Sequence, residues 1–156
     1  MSNLPDSTEV LVIGGGIVGC SIAYHLTKLG IKDVVLLEQN QLTSGTTWHA
    51  AGLVGQLRAT SNLTHLARYT TELFAGLENE TGQATGYRRT GSLSVALNTE
   101  RLEELNRQAS TARAFGIEVE QISAADVTTY WPDVNIEDIC GAVYLPGDGQ
   151  TNPVDT

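Results

Sequence analysis

The sequence predicts an α/β fold that opens with a strand–helix–strand unit, and three observations carry that expectation. Residues 9–13 (EVLVI) form a short β-branched apolar run, the signature of a buried strand. Ile17, Val18, Cys20, Ile22, Ala23, Leu26 and Leu29 then recur at the helical period, with Gly30 placed to end the helix. Residues 33–37 (DVVLL) form a second apolar run, closed by Glu38. Two such strands joined by one helix are expected to pair in parallel with a right-handed crossover.

The chain then changes character. Residues 41–55 are rich in Ser, Thr and Gly and contain Trp48 and His49, a poor candidate for regular core structure. Residues 62–80 return to the helical period, with Leu63, Leu66, Ala67, Leu73 and Leu77 as the apolar stripe. Residues 91–97 (GSLSVAL) alternate as a half-exposed strand does. Residues 99–115 read as a polar amphipathic helix with Thr99 as N-cap and Gly116 beyond its end. Residues 119–122 suggest a short strand. Residues 123–130 suggest a short helix capped by Ser123, with Asp126 at the third position. Residues 141–145 (GAVYL) suggest a last strand, followed by a Pro146-Gly147-Asp148-Gly149 turn. Asp148 reads as a turn aspartate.

Composition bounds the function. The 156 residues fit one ordinary domain, and 41% apolar with 17% charged residues is a globular balance. Acidic residues outnumber basic ones 18 to 9, a formal charge of −9. Nucleic acid and anionic lipid would repel such a surface, which argues against both as partners. Cys20 and Cys140 form no C-x-x-C pair and no zinc spacing, so no metal site is expected, and Cys20 reads as a small buried hydrophobe. Residues 1–8 resemble neither a signal nor a transit peptide. No apolar run approaches the ~20 residues of a membrane span. The expectation is a cytoplasmic protein, or a mitochondrial matrix protein in a eukaryote.

Gly14-x-Gly16-x-x-Gly19 carries the cofactor argument. The motif follows a strand, opens a helix, and is succeeded by a second strand ending in Glu38, 19 residues after Gly19. Gly14 permits a tight turn, Gly16 lets a pyrophosphate approach the backbone, and Gly19 lets the helix pack on the strand. The free N–H groups at the helix start, around Ile17 and Val18, are expected to face phosphate. Glu38, with Gln39 beside it, stands where a carboxylate accepts hydrogen bonds from ribose hydroxyls and repels a 2′-phosphate. The motif fits the ADP half of either NAD or FAD.

The segment beyond Glu38 separates the two cofactors. Residues 43–53 comprise Thr43, Ser44, Gly45, Thr46, Thr47, Trp48, His49, Ala50, Ala51, Gly52 and Leu53, small and hydroxylated enough to run along a flavin. VLVIGGGIVGCSIAYHLTKLGIKDVVLLEQ followed by LTSGTTWHAAGLVGQLR resembles the sarcosine and dimethylglycine dehydrogenases of the D-amino-acid-oxidase-like superfamily. ENETG at 78–82, RTGSL at 89–93 and LPGDG at 145–149 resemble them too, so the likeness covers nearly the whole chain.

The resemblance implies a Rossmann-like FAD-binding domain, incomplete here, joined to the start of a mixed α+β substrate-domain segment. Its parts would be a dinucleotide unit at 8–40, a flavin loop at 41–57 and a helical and mixed segment at 58–156, all the N-terminal part of one oxidoreductase domain. It implies that His49 bears an 8α-linked FAD. It implies oxidation of an N-methyl amine such as sarcosine or dimethylglycine, with the one-carbon unit released or passed to a folate. Electrons would leave through an electron-transfer flavoprotein or oxygen. In that family the substrate-binding and general-base residues lie largely beyond position 156, so no catalytic base is assigned among these residues. Three other readings stand beside this one: a related amino-acid or amine oxidase with non-covalent flavin, an NAD-dependent dehydrogenase, and a cofactor-binding fragment without activity of its own. His25 and His65 read as structural, and Arg58 and Arg68 as solvated charges.

Overall fold

A computed structural model describes residues 4–156, so the reading of the first eight residues falls partly, at 1–3, outside the described residues. The chain divides into two compact units. One comprises Met1–Gly52 and Asn152–Thr156, the other Leu53–Thr151.

The first unit contains the expected strand–helix–strand motif. β1 (Val10–Ile13) and β2 (Val34–Leu37) pair in parallel, Val10 opposite Val34 through Ile13 opposite Leu37, with α1 (Ile17–Lys28) between them in sequence. Asp33 fixes the entrance to this pair. Its side chain accepts from the Glu9 N–H at 2.9 Å and from the Thr8 hydroxyl at 3.1 Å. Gly30, at φ 95°, follows α1 as a helix-ending glycine. The expected full burial of both strands is not seen. Val12 is buried, but β2 is half-buried, and Leu11 and Ile13 are 49% and 81% exposed. A two-stranded pair with one helix covers only part of its own surface, and parallel strands become buried on both faces only in wider, doubly covered sheets.

The second unit is antiparallel. β4 (Ser92–Ala96), β5 (Glu120–Ile122) and β6 (Gly141–Leu145) form a sheet in the order β4-β6-β5. Against it packs α3 (Thr99–Ala114), whose Leu105, Ala109 and Ala112 join Ala96, Ile117, Val143 and Leu145 in a buried apolar cluster. The short α4 (Val127–Tyr130) brings Val127 to a second cluster with Ile139 and Ala142. Two two-residue strands that periodicity could not reveal, β3 (Leu53–Val54) and β7 (Gly149–Gln150), pair antiparallel.

Four local expectations are corrected. The N-cap of α3 is Asn98, not Thr99: its Oδ1 accepts from the Arg101 N–H at 2.8 Å. Ser123 and Asp126 do exchange hydrogen bonds as a capping box would, but the residues between them form a turn, and helix begins only at Val127. Cys20 is half-buried and directs its thiol to the Gly15 carbonyl at 3.6 Å. In α2 (Ser61–Thr81) the buried residues are Thr64 and Thr71, whereas Leu63 and Leu66 are 51% and 61% exposed. The threonines are buried because their hydroxyls are satisfied: Thr64 accepts from the Arg58 N–H and Thr71 from the Gln56 side-chain amide. No helix among the described residues is long and apolar enough to cross a membrane.

Candidate functional site

The site is built where β1 ends. Gly14 takes φ 104°, a conformation L side chains rarely adopt, and its N–H donates to the Leu37 carbonyl at 2.7 Å. This turn delivers the chain to the first residue of α1. Gly19, one turn into that helix, lies so close to the turn that a Cβ there would overlap the Gly14 carbonyl oxygen and touch Val12. The spacing of Gly14 and Gly19 therefore follows from backbone contact between strand exit and helix.

The start of α1 presents donors. Among the described residues, the N–H groups of Gly16, Val18 and Gly19 meet no protein acceptor. The Ile17 N–H is different. It donates to the Thr47 hydroxyl at 3.0 Å, so one amide expected to face phosphate is held within the protein. Gly16 caps the helix without a side chain, and Thr47, thirty residues after Ile17, supplies the capping oxygen.

Glu38 closes β2 and turns back into the glycine-rich turn. Its Oε2 accepts from the Gly15 N–H at 2.7 Å and its Oε1 from the Asn40 N–H at 3.0 Å. These two donors, Gly15 foremost, hold its carboxyl below the usual glutamate range. Each carboxylate oxygen keeps a further lone pair for an outside hydroxyl. Gly15 itself, which the motif leaves unspecified, is confined: a Cβ there would press on Leu42 and Glu38.

The Ser/Thr/Gly loop is tied to this turn. Thr43 donates its N–H to the Gly15 carbonyl at 2.9 Å and accepts from the Trp48 N–H at 3.3 Å. It does so at φ 67°, left-handed backbone that a β-branched residue adopts only when its surroundings enforce it. Residues Thr46–His49 form a 3₁₀ turn with Gly45 before it and Ala50 after it. Thr47 is buried, while Trp48 and His49 are exposed with their rings 4.2 Å apart.

The structure thus brings Gly14, Gly16, Ile17, Val18, Gly19, Glu38 and Thr47 together, and places Gly45, Thr46, Trp48 and His49 on the loop pinned to them. Gln39, Ala50 and Ala51 are exposed, and Gly52 is buried. Leu53 belongs to the second unit, where it sits in β3 at 78% exposure opposite Gln150. The residues fit the dinucleotide part of a flavin: unpartnered amides at a helix start suit a pyrophosphate, and the Glu38 carboxylate suits ribose hydroxyls.

In the second unit, sequence reasoning missed Asp148. It is 7% exposed rather than a surface turn residue. Its Oδ1 accepts from the Gln56 N–H at 2.7 Å and its Oδ2 from the Ser92 hydroxyl at 2.6 Å. Its flanking glycines carry the only signal: a Cβ at Gly147 would strike the Gln56 side chain, and one at Gly149 the Arg88 backbone. Arg68 pairs with Glu72 on the surface of α2, and Arg58 donates to its neighbour's carbonyl, as expected of solvated charges.

A βαβ unit with this turn and carboxylate defines a dinucleotide-binding α/β protein, and the comparisons specify which. The family model for FAD dependent oxidoreductases matches residues 9–156. Human sarcosine dehydrogenase, mitochondrial, is 44% identical over 154 residues, covering 98% of this chain and 17% of that protein. The mouse pyruvate dehydrogenase phosphatase regulatory subunit, mitochondrial, is 43% identical over 152 residues, covering 97% of this chain and 17% of that protein. The crystal structure of L-proline dehydrogenase from P. horikoshii superposes with a TM-score of 0.89 at 27% identity, covering 97% of this chain and 40% of that one. The chain belongs to the FAD-dependent oxidoreductase family. It spans about a sixth of the length of these two curated relatives.

Proposed function

We propose that this chain is the flavin-holding N-terminal part of a dehydrogenase or oxidase of N-methyl amines, sarcosine or dimethylglycine in type, with FAD bonded to His49. The observation that carries the reading is the pinning of the Thr43–His49 loop to the glycine-rich turn, which holds the exposed His49 two residues from Thr47, the partner of the first amide of α1. The likeness of the TTWHAAGL segment to the sarcosine and dimethylglycine dehydrogenases supports the histidyl link, and the identity to human sarcosine dehydrogenase supports the amine.

In this reading Gly16, Val18 and Gly19 donate backbone N–H bonds to the pyrophosphate, and Gly14 and Ile17 keep the turn and helix in place. Glu38 accepts from the adenosine ribose hydroxyls, with Gln39 beside it. Gly45, Thr46, Ala50, Ala51 and Gly52 are small or open enough to let the loop follow the flavin, and Trp48 walls it. Bound FAD supplies the hydride acceptor for the N-methyl carbon. Release of the one-carbon unit to water or folate, and of electrons to an electron-transfer flavoprotein or oxygen, belongs to the complete protein. Its compartment would be the mitochondrial matrix in a eukaryote, in keeping with the mitochondrial human relative, and the cytoplasm otherwise.

A second reading is favoured by the mouse regulatory subunit: a flavin-type chain that serves another enzyme and turns nothing over. Incubating the natural full-length protein with sarcosine or dimethylglycine and an artificial electron acceptor separates the two. Amine-dependent reduction of the acceptor is the expected result. Retained FAD with no reduction by either amine favours the regulatory role.

A further inference from the structure

We propose that Thr47 is the positioning residue that holds the His49 turn against the glycine-rich turn, through its hydroxyl and not through contact with the flavin. The inference rests on the reading that His49 bears the cofactor, and goes beyond it by naming what sets the imidazole in place. Thr47 is the buried residue of the 3₁₀ turn, flanked on its C-terminal side by exposed Trp48 and His49. Its Oγ1 accepts from the Ile17 N–H at 3.0 Å, which ties that turn to the first residue of α1. Gly16 makes the seat: a Cβ at 16 would stand 3.1 Å from the Thr47 Oγ1, so any other residue would crowd the hydroxyl. Gly16 thus has a role besides admitting a phosphate.

A second tether completes the clamp. The Thr43 N–H donates to the Gly15 carbonyl, and the Trp48 N–H to the Thr43 carbonyl, so the loop is bound to the turn on both sides of Gly45. Thr43 adopts left-handed backbone to do this. A β-branched residue held in that conformation marks a loop fixed in one shape. The Ala50 N–H then donates to the Thr47 carbonyl at 3.1 Å, closing the turn around His49. His49 lies two residues from the clamp, so its Cα direction follows the seating of Thr47. A free loop would present the imidazole over many directions and bond to the flavin slowly.

Two variants of the natural full-length protein test this. Thr47→Val keeps the shape and removes the acceptor; Thr47→Ser keeps the acceptor. The first readout is hydrogen exchange of the flavin-free protein. Thr47→Val should speed exchange of the Ile17, Trp48 and Ala50 amides about tenfold or more, with Thr47→Ser close to wild type. The second is the rate at which added FAD becomes inseparable from denatured protein. Thr47→Val should slow it about tenfold or more while reversible FAD binding stays within about threefold, and Thr47→Ser should restore it. Unchanged exchange in Thr47→Val, or unchanged attachment, overturns the proposal, as does a reversible affinity that falls in step with attachment, because that would make the hydroxyl a direct flavin contact. Wild-type protein that never retains flavin would sink the His49 reading instead, and the exchange result would still decide whether Thr47 holds the turn.

Discussion

Glu38 Oε2 accepts the Gly15 N–H at 2.7 Å, so the carboxylate that ends β2 is bonded into the glycine-rich turn. It braces the turn before any ribose arrives. The Gly15 and Asn40 N–H groups stabilise its ionised form, and its folded pKa is lowered. A depressed carboxyl contributes stability above the usual glutamate range and loses it as pH falls through the lowered folded value. Glu38→Gln should therefore melt below wild type at neutral pH, and the gap should close as the pH drops through the Glu38 folded pKa. It should also weaken reversible FAD binding about tenfold at neutral pH. Thermal melts at stepped pH and flavin titration of the apoprotein measure both. A melting gap that is constant with pH would contradict the assigned cause.

Gly19→Ala should destabilise the first unit by about 3 kcal/mol, since its Cβ would overlap backbone that cannot rotate away. Gly76→Ala is the control. Gly76 lies inside α2 with nothing within 4 Å of a new Cβ, so alanine there should cost no stability. Denaturant unfolding of the two variants checks the pair, and equal losses would remove the packing explanation for the third glycine of the motif.

Asp148→Ala should cost about 3 kcal/mol, because it strands the buried Gln56 N–H and frees the Ser92 hydroxyl. Ser92→Ala removes one of these bonds and should cost about 1 kcal/mol. The double variant should lose less than the sum of the two, as residues in one network do. Additive losses would mean that the two bonds are independent.

The features legible in the sequence were the local ones. β1, α1 and β2 follow from runs of Val, Ile and Leu interrupted by glycines, and nothing outside residues 9–38 is needed to infer them. The γ-carboxylate of Glu38 was legible by position, but not its bond to Gly15, because the motif leaves that residue free. The errors lie where tertiary partners decide. Thr64 and Thr71 displaced Leu63 and Leu66 from the buried face of α2 once Arg58 and Gln56 satisfied their hydroxyls. Asp148 looked like a turn residue because its partner Gln56 lies 92 positions away. Thr47 was legible as one of the residues expected to run along the flavin, but not its bond to the Ile17 backbone, because that partner lies 30 positions away. Asn98 took the α3 cap from Thr99 by one residue, within the ordinary spread of helix ends.

The proposed bond between FAD and His49 is tested most directly by denaturing gel electrophoresis of the natural full-length protein. Wild-type protein, precipitated with acid and viewed under ultraviolet light on the gel, should carry flavin fluorescence in its own band, and His49→Ala should run dark. Yellow colour released into the acid supernatant of wild-type protein, or a fluorescent His49→Ala band, would contradict the account.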